Sequence, residues 1–297
     1  MIRILVIAGP TASGKTGLAL DLARRLGGEI VNADSQQVYR GLDVGTAKPS
    51  PAERAEIPHH LLDLVEPGED MDAARWARLA DAAIADVVGR GRLPVVTGGT
   101  GLYVRALLHG VVEAPGRDPA LRARLEAEAA ALGRHALHAR LAAVDPAAAV
   151  RIRENDLVRI VRALEIAAGG RTQTELHAAH AFAKDRYEAR LLALDPPRAE
   201  LHARIEARAR AMFERGLLDE ARALRGRPGA APARLPIGYA EAIAVVDGAL
   251  ALEEAIRRVA LAHRRYARRQ VIWLRRERGV EWIAPGTDVE ALARRVG

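Results

Sequence analysis

Cysteine is absent from the 297 residues, which excludes disulfides and thiolate metal sites. Long hydrophobic runs are missing too: no stretch is long or apolar enough to span a membrane. The first apolar run is too short for a signal peptide, so a cytoplasmic protein with no membrane contact is expected. Lysine is nearly absent, occurring only at Lys15, Lys48 and Lys184 while arginine supplies every other basic side chain. In such a chain a lysine is less a generic surface charge than a placed one, and Lys15 and Lys48 both fall inside motifs; Lys184 does not. What is present suffices for one large domain or two ordinary ones, with 49% hydrophobic residues to build a core. The formal net charge of +7 suits a polyanionic partner, although a general bias toward arginine would give the same charge with no nucleic-acid role.

The most informative stretch is Gly9-Pro10-Thr11-Ala12-Ser13-Gly14-Lys15-Thr16. It follows the apolar run Ile4 to Ala8 and precedes an amphipathic stretch, Leu18 to Leu26, so it reads as strand, glycine loop, helix. That is the context the G-x-x-x-x-G-K-[ST] pattern requires, because backbone N–H groups and a helix N-terminus together form a nest for phosphate oxygens. Gly9 and Gly14 let the main chain close on the ligand, Lys15 brings a point charge to a terminal phosphate, and the Thr16 hydroxyl is placed for Mg²⁺. The pattern is that of nucleotide-binding, ATP-type loops, and it leaves open which phosphate compound is held.

A second apolar strand, within Gly28 to Asn32, runs out into Ala33-Asp34-Ser35-Gln36-Gln37-Val38-Tyr39. Ligands of an open parallel sheet bind outside the carboxyl ends of its strands, so Asp34 faces the same crevice as the phosphate loop. It is a general base or substrate anchor; the competing reading is a helix N-cap. Arg40 to Pro49 is a polar, glycine-punctuated functional loop. His59 and His60 lack a carboxylate at metal-ligand spacing and read as structural. Met71 to Gly89 has helical periodicity with Trp76, Leu79, Ala83 and Val87 on one face. Leu93 to Thr97 is another buried strand, opening into the glycine-rich Gly98-Gly99-Thr100-Gly101-Leu102-Tyr103. Three strand ends thus deliver a phosphate loop, a carboxylate and a hydroxyl. The acidic residue with which motor ATPases end this strand is missing.

From Asp118 to about Ala189 strand signals vanish, as in a helical insertion; within it Arg151, Arg153, Arg159 and Arg162 flank Asn155-Asp156, where a solvated helix face competes with a functional cluster. Arg190 to Asp195 resumes as a strand, stopped by Pro196-Pro197. One long helix is expected from Ala199 to Leu224, a loop from Arg225 to Pro236, and a last major helix from about Leu252 to Arg276. That helix holds the basic run His263 to Gln270 with one aromatic, which fits either solvent or phosphate-backbone contact.

Taken in order, GPTASGKT (9–16), NADSQQVY (32–39), DVGTAKP (43–49), PHHLLD (58–63), GGTGLY (98–103), NDLVRIVRALE (155–165), IGY (237–239) and YARRQVIWL (266–274) resemble the tRNA dimethylallyltransferases, also called tRNA isopentenyltransferases. The ordered set spans nearly the whole chain. The resemblance implies an α/β, P-loop NTPase-like core with a parallel sheet, formed by 1–117 and 190–297, and an inserted all-helical domain, 118–189, that contacts tRNA. It implies a monomer that transfers a dimethylallyl group from dimethylallyl diphosphate to N6 of the adenosine 3′-adjacent to the anticodon, with Mg²⁺ and release of diphosphate. By motif, Asp34 looks like the base that takes the N6 proton and Thr100 its partner in holding the adenine. Lys15, Thr16 and Arg208 look like the diphosphate and magnesium grip, with Gly9 to Thr16 as the cradle. Asp34, Ser35, Gln36, Gln37, Thr100, Arg122, Val158, Arg159, Ile160, Val161 and Arg162 look like contacts to the anticodon stem-loop. Glu154, Phe213, His263 and Ile272 depart from the residues usual in the family.

The chemistry needs such a set. An exocyclic aromatic amine is a poor nucleophile whose proton must be taken as the new bond forms, the leaving diphosphate gathers negative charge, and the base must leave its stack. A small-molecule kinase of the shikimate-kinase type, a prenyltransferase of free adenine nucleotides and a nucleotide-gated RNA-binding module share parts of this pattern, but for the first two the basic helical surplus is superfluous.

Overall fold

The computed structural model describes every residue except 112, 113, 117, 181–184 and 228–234, so Lys184 lies outside the described residues. Along the chain run β1 (Arg3–Ala8), α1 (Lys15–Leu26), β2 (Gly28–Asn32), α2 (Pro51–Glu56), β3 (His59–His60), α3 (Ala73–Gly89), β4 (Leu93–Gly98) and α4 (Gly101–His109). Then come α5 (Pro119–Leu132), α6 (Arg134–Val144), α7 (Pro146–Arg151), α8 (Leu157–Ala168) and α9 (Gln173–His180). The chain closes with β5 (Glu188–Leu194), α10 (Arg198–Glu214), α11 (Leu217–Leu224), α12 (Tyr239–Val246), α13 (Leu252–Leu274), β6 (Val280–Ile283) and α14 (Val289–Val296).

Two compact units result, 1–108 with 185–297, and 109–184. The divisions fall at 108/109 and 184/185, where 117/118 and 189/190 were expected. Residues just after the second division already belong to the sheet unit: Arg186 N donates to Leu108 O, and the Tyr187 hydroxyl donates to Asp81 at 2.6 Å.

In the first unit six parallel strands form one sheet in the order β3-β2-β4-β1-β5-β6. Both faces are covered by helices, which is why β1 reads as an unbroken apolar run with Ile4, Val6 and Ile7 fully buried. Register decides what matters for function. Ala8 pairs with Gly98, and Asn32 with Thr97, so β1, β4 and β2 end level with one another and their loops leave one edge together. Gly98 is required there: a Cβ on it would stand 2.2 Å from the Ala33 carbonyl oxygen. One apolar cluster joins α1 and α14 to the sheet, while another gathers α10 to α13.

Several elements differ from expectation. The buried face of α3 is Ala73, Trp76, Ala77, Ala80, Ile84 and Val87, whereas Leu79 is 36% exposed; in an alanine-rich helix the apolar stripe has no sharp phase. The stretch expected as one helix breaks at Gly216, which takes a left-handed conformation between α10 and α11. The glycine-rich stretch Gly98 to Tyr103 is a shorter loop than expected, since α4 starts at Gly101. The short elements α2, α12, β6 and α14 carry too few residues for their periodicity to stand out.

The regular elements of the second unit's described residues are all helices, with α5 to α8 closing on Leu125, Leu137, Leu141, Ile160 and Leu164.

Candidate active site

The phosphate loop curls around the start of α1. Gly14 is the N-cap in a left-handed conformation, and the Ser13 amide donates back to Pro10 O. Lys15, Thr11, Asp34, Arg208, Tyr266 and Gln270 line one small cavity of about 50 Å³. Asp34, Arg208, Thr11 and Tyr266 also border an adjoining cavity of about 230 Å³, whose wall includes the apolar Leu235, Pro236 and Ile237. On the outer side of the phosphate loop lies a cleft of about 720 Å³ lined by Lys15, Thr16, Lys48, Arg204, Arg208 and Arg215. Two of the three expected strand ends, the phosphate loop and Asp34, thus share a cavity with Arg208 of α10, while Thr100 borders none of these cavities and engages the turn beside Asp34 instead.

Each of these side chains is oriented by a specific neighbour. Asp34 Oδ1 accepts from the Gln36 amide at 2.8 Å, a local turn with no helix after it, so the N-cap reading does not hold. Thr100 Oγ1 accepts from the Ser35 amide at 2.9 Å and donates to Ser35 Oγ at 3.1 Å, tying the β4 loop to the turn that holds Asp34. Gln36 Nε2 reaches Ser35 Oγ, and Gln37 Nε2 donates to the carbonyls of Thr46 and Ala47. Arg208 Nη1 donates to Thr11 Oγ1 at 3.2 Å, and its buried Nε has no partner among the described residues. Ser13 Oγ is likewise buried with no partner among the described residues. Buried donors left unsatisfied beside a glycine cradle are what an anion would complete.

Burial pulls the Lys15 ammonium down to about 8, the Asp34 carboxylate opposing and Arg208 adding to the shift. Burial lowers Arg208 as well, Asp34 again opposing. His263 is driven down to about 4 by burial and then by Arg208, so its imidazole is neutral. The Tyr266 hydroxyl is pushed up to about 12 by burial and by Asp34, with Thr100 and Gln270 side chains against it.

The polar loop 40–49 is held from outside the cavity. Glu220 of α11 accepts from three successive amides, Asp43, Val44 and Gly45, and from the Tyr239 hydroxyl at 2.6 Å. Lys48, its side chain fully buried, donates to Tyr39 O, Asp43 and Asp63. Of the two lysines inside motifs, one faces the ligand site and the other is a strut. His59 and His60 engage Ile57 O and Glu29, each at 2.7 Å.

Sequence reasoning overlooked the inner face of α13. His263, Tyr266 and Gln270 turn into the site at helical spacing, while Arg265 and Arg268 remain exposed and Arg269, exposed as well, borders the cavity of about 230 Å³ beside Tyr266. The signal was present as a period of three to four within the basic run.

The remaining candidates lie in the helical unit. Arg122 Nε and Nη2 meet the buried Glu165 carboxylate at 3.0 and 2.7 Å, and Arg162 approaches the same carboxylate at 3.6 Å. Within 158–162 the side chains of Val158 and Arg159 are exposed, whereas Ile160 and Val161 are buried in that unit's core. Within that stretch only Val158, Arg159 and Arg162 present side chains at the surface.

Among the described residues no group of three or more His, Asp or Glu side chains could hold a metal ion alone. Thr16 at the start of α1 fits Mg²⁺ in the other manner, one protein oxygen beside a phosphate cradle, because Mg²⁺ retains waters and binds through substrate phosphates. Nor is any helix of the described residues long and apolar enough to cross a membrane.

Comparison with known proteins adds to this geometry. The family model described as IPP transferase matches residues 37–277, and that described as isopentenyl transferase matches residues 2–63. A tRNA dimethylallyltransferase of Anaeromyxobacter sp. (strain K) is 80% identical over 296 residues, covering 99% of this chain and 97% of the relative. The crystal structure of the tRNA isopentenylpyrophosphate transferase of Bacillus halodurans is 38% identical, with a TM-score of 0.69 over 100% of this chain and 94% of that one. A eukaryotic dimethylallyltransferase acting on tRNA is 27% identical with a TM-score of 0.77, covering 96% of this chain and 74% of the other.

Proposed function

This chain belongs to the IPP transferase family, and from that premise we propose how its cavity works. The chain is a tRNA prenyltransferase. It moves a dimethylallyl group from dimethylallyl diphosphate to N6 of the adenosine 3′-adjacent to the anticodon, in the cytoplasm, where its tRNA substrate is met. The observation that carries the assignment of roles is the convergence of Asp34, Lys15, Arg208 and Thr11 on one cavity at the ends of β1, β2 and β4.

In the transfer, the C1–O bond of the donor breaks and its electron pair leaves with diphosphate, while C1 bonds to N6 and the N6 proton passes to the Asp34 carboxylate. Amides of Gly9 to Thr16, the Lys15 ammonium and the Arg208 guanidinium receive the growing negative charge without having to reorganise. Thr16 would hold Mg²⁺, which when bound adds positive charge beside the departing phosphates. Asp34, fixed by the Gln36 amide, supplies general-base assistance of about a hundred- to ten-thousandfold. The Thr100 hydroxyl, fixed on Ser35, orients the purine, and the wall of Leu235, Pro236 and Ile237 offers the five-carbon chain an apolar surface away from water. An adenosine extruded from an anticodon loop costs about a few kcal/mol, which contacts between arginines such as Arg159 and the RNA backbone offset.

The test is release of pyrophosphate from dimethylallyl diphosphate with tRNA, AMP or no acceptor. Release with tRNA alone is expected. Release with AMP at equal efficiency would make the acceptor a free nucleotide instead.

A further inference from the structure

Gln270 lies on α13, 5% exposed, and its amide spans two loops that leave adjacent strands. Its Oε1 accepts from the Thr11 amide in the phosphate loop at 2.7 Å, and its Nε2 donates to Gly99 O at 2.9 Å. The fit leaves no slack: a Cβ on residue 99 would stand 2.0 Å from Nε2, so glycine at 99 is the condition for Gln270 to reach across. The next residue is Thr100, whose hydroxyl holds Ser35 and through it the turn bearing Asp34.

We propose that Gln270 is a positioning residue that couples the two halves of the reaction, so that filling the phosphate cradle fixes the loop carrying Thr100. The inference rests on the reading of the cradle as a diphosphate site. A neutral amide meets both demands, an acceptor for Thr11 N–H at one end and a donor for Gly99 C=O at the other. An ionised glutamate cannot donate and a leucine can do neither. Because the amide is buried with both ends satisfied, displacement of one loop is transmitted to the other instead of being absorbed by water.

Hydrogen exchange on the intact protein tests the coupling without relying on catalysis. Saturating inorganic pyrophosphate with Mg²⁺ should slow exchange of the amides of Thr100, Tyr103 and Val104 by about tenfold in the wild type, and should leave them unchanged in Gln270→Leu. Equal slowing in Gln270→Leu, or none in the wild type, would overturn the proposal. In transfer assays Gln270→Leu should lose kcat by about tenfold to a hundredfold, as a small misplacement does, with KM for donor and tRNA within about threefold. The isosteric Gln270→Glu should regain rate toward acid pH, where a protonated carboxyl again donates to Gly99 O, and lose it as pH rises. An unchanged kcat in Gln270→Leu, or a Gln270→Glu profile shaped like the wild type's, would reduce Gln270 to packing. Wild-type protein that shows the exchange effect but transfers nothing to tRNA would refute the reaction and leave the coupling standing.

Discussion

The sheet unit and the helical unit use charge in opposite ways. Around the phosphate loop Lys15 and Arg208 are half-buried, share one cavity with Asp34 and have shifted acidities. In α8, Arg159 extends into solvent and its ion pair with Asp156, at 3.5 Å, is 71% exposed on the arginine side. Buried charges act strongly and at one place, whereas exposed ones act weakly, over a distance and through salt. The first unit should therefore govern rate, and the second tRNA affinity.

The largest effect that would break this division is expected at Asp34: Asp34→Ala should lower kcat by about a hundred- to ten-thousandfold while leaving tRNA affinity, measured by filter binding, almost unchanged. Next, Ile160→Ala should cost the helical unit about 2–5 kcal/mol in urea unfolding, because that side chain is core and not a contact. Arg208→Ala should raise KM for dimethylallyl diphosphate by about tenfold to a hundredfold, the loss of one charge-assisted contact. The Lys15 ammonium loses its proton as pH rises through about 8, so kcat/KM for the donor should decline above that pH; Lys15→Arg should remove that limb from the profile. Smallest, Arg159→Ala should flatten the slope of log affinity against log salt by about one and leave kcat alone. A kcat change in Arg159→Ala, or a salt-slope change in Asp34→Ala, would dissolve the distinction between the units.

How much of this was legible in the chain follows the same line. The phosphate loop, Asp34 and Thr100 are readable because each sits directly after an apolar strand, and strand order brings their ends level. Arg208 and the stretch Val158 to Arg162 came from family resemblance, since nothing local distinguishes one arginine of α10 from the next. The resemblance does not separate Arg159 from its neighbours Ile160 and Val161, a distinction that only burial makes. Gln270, His263 and Tyr266 stayed hidden because a run dense in arginine invites reading as a surface, though every third or fourth position turns inward. Glu220 was illegible for a different reason. Its partners, the amides of Asp43 to Gly45, are separated from it by most of the chain and belong to the backbone, which carries no sequence signal.

The most direct test is to incubate the protein with dimethylallyl diphosphate, Mg²⁺ and unmodified tRNA, digest the RNA and weigh its nucleosides. One adenosine per tRNA, next to the anticodon, should gain a dimethylallyl group in place of a hydrogen. Adenosine of unaltered mass, with the donor intact, would contradict the account.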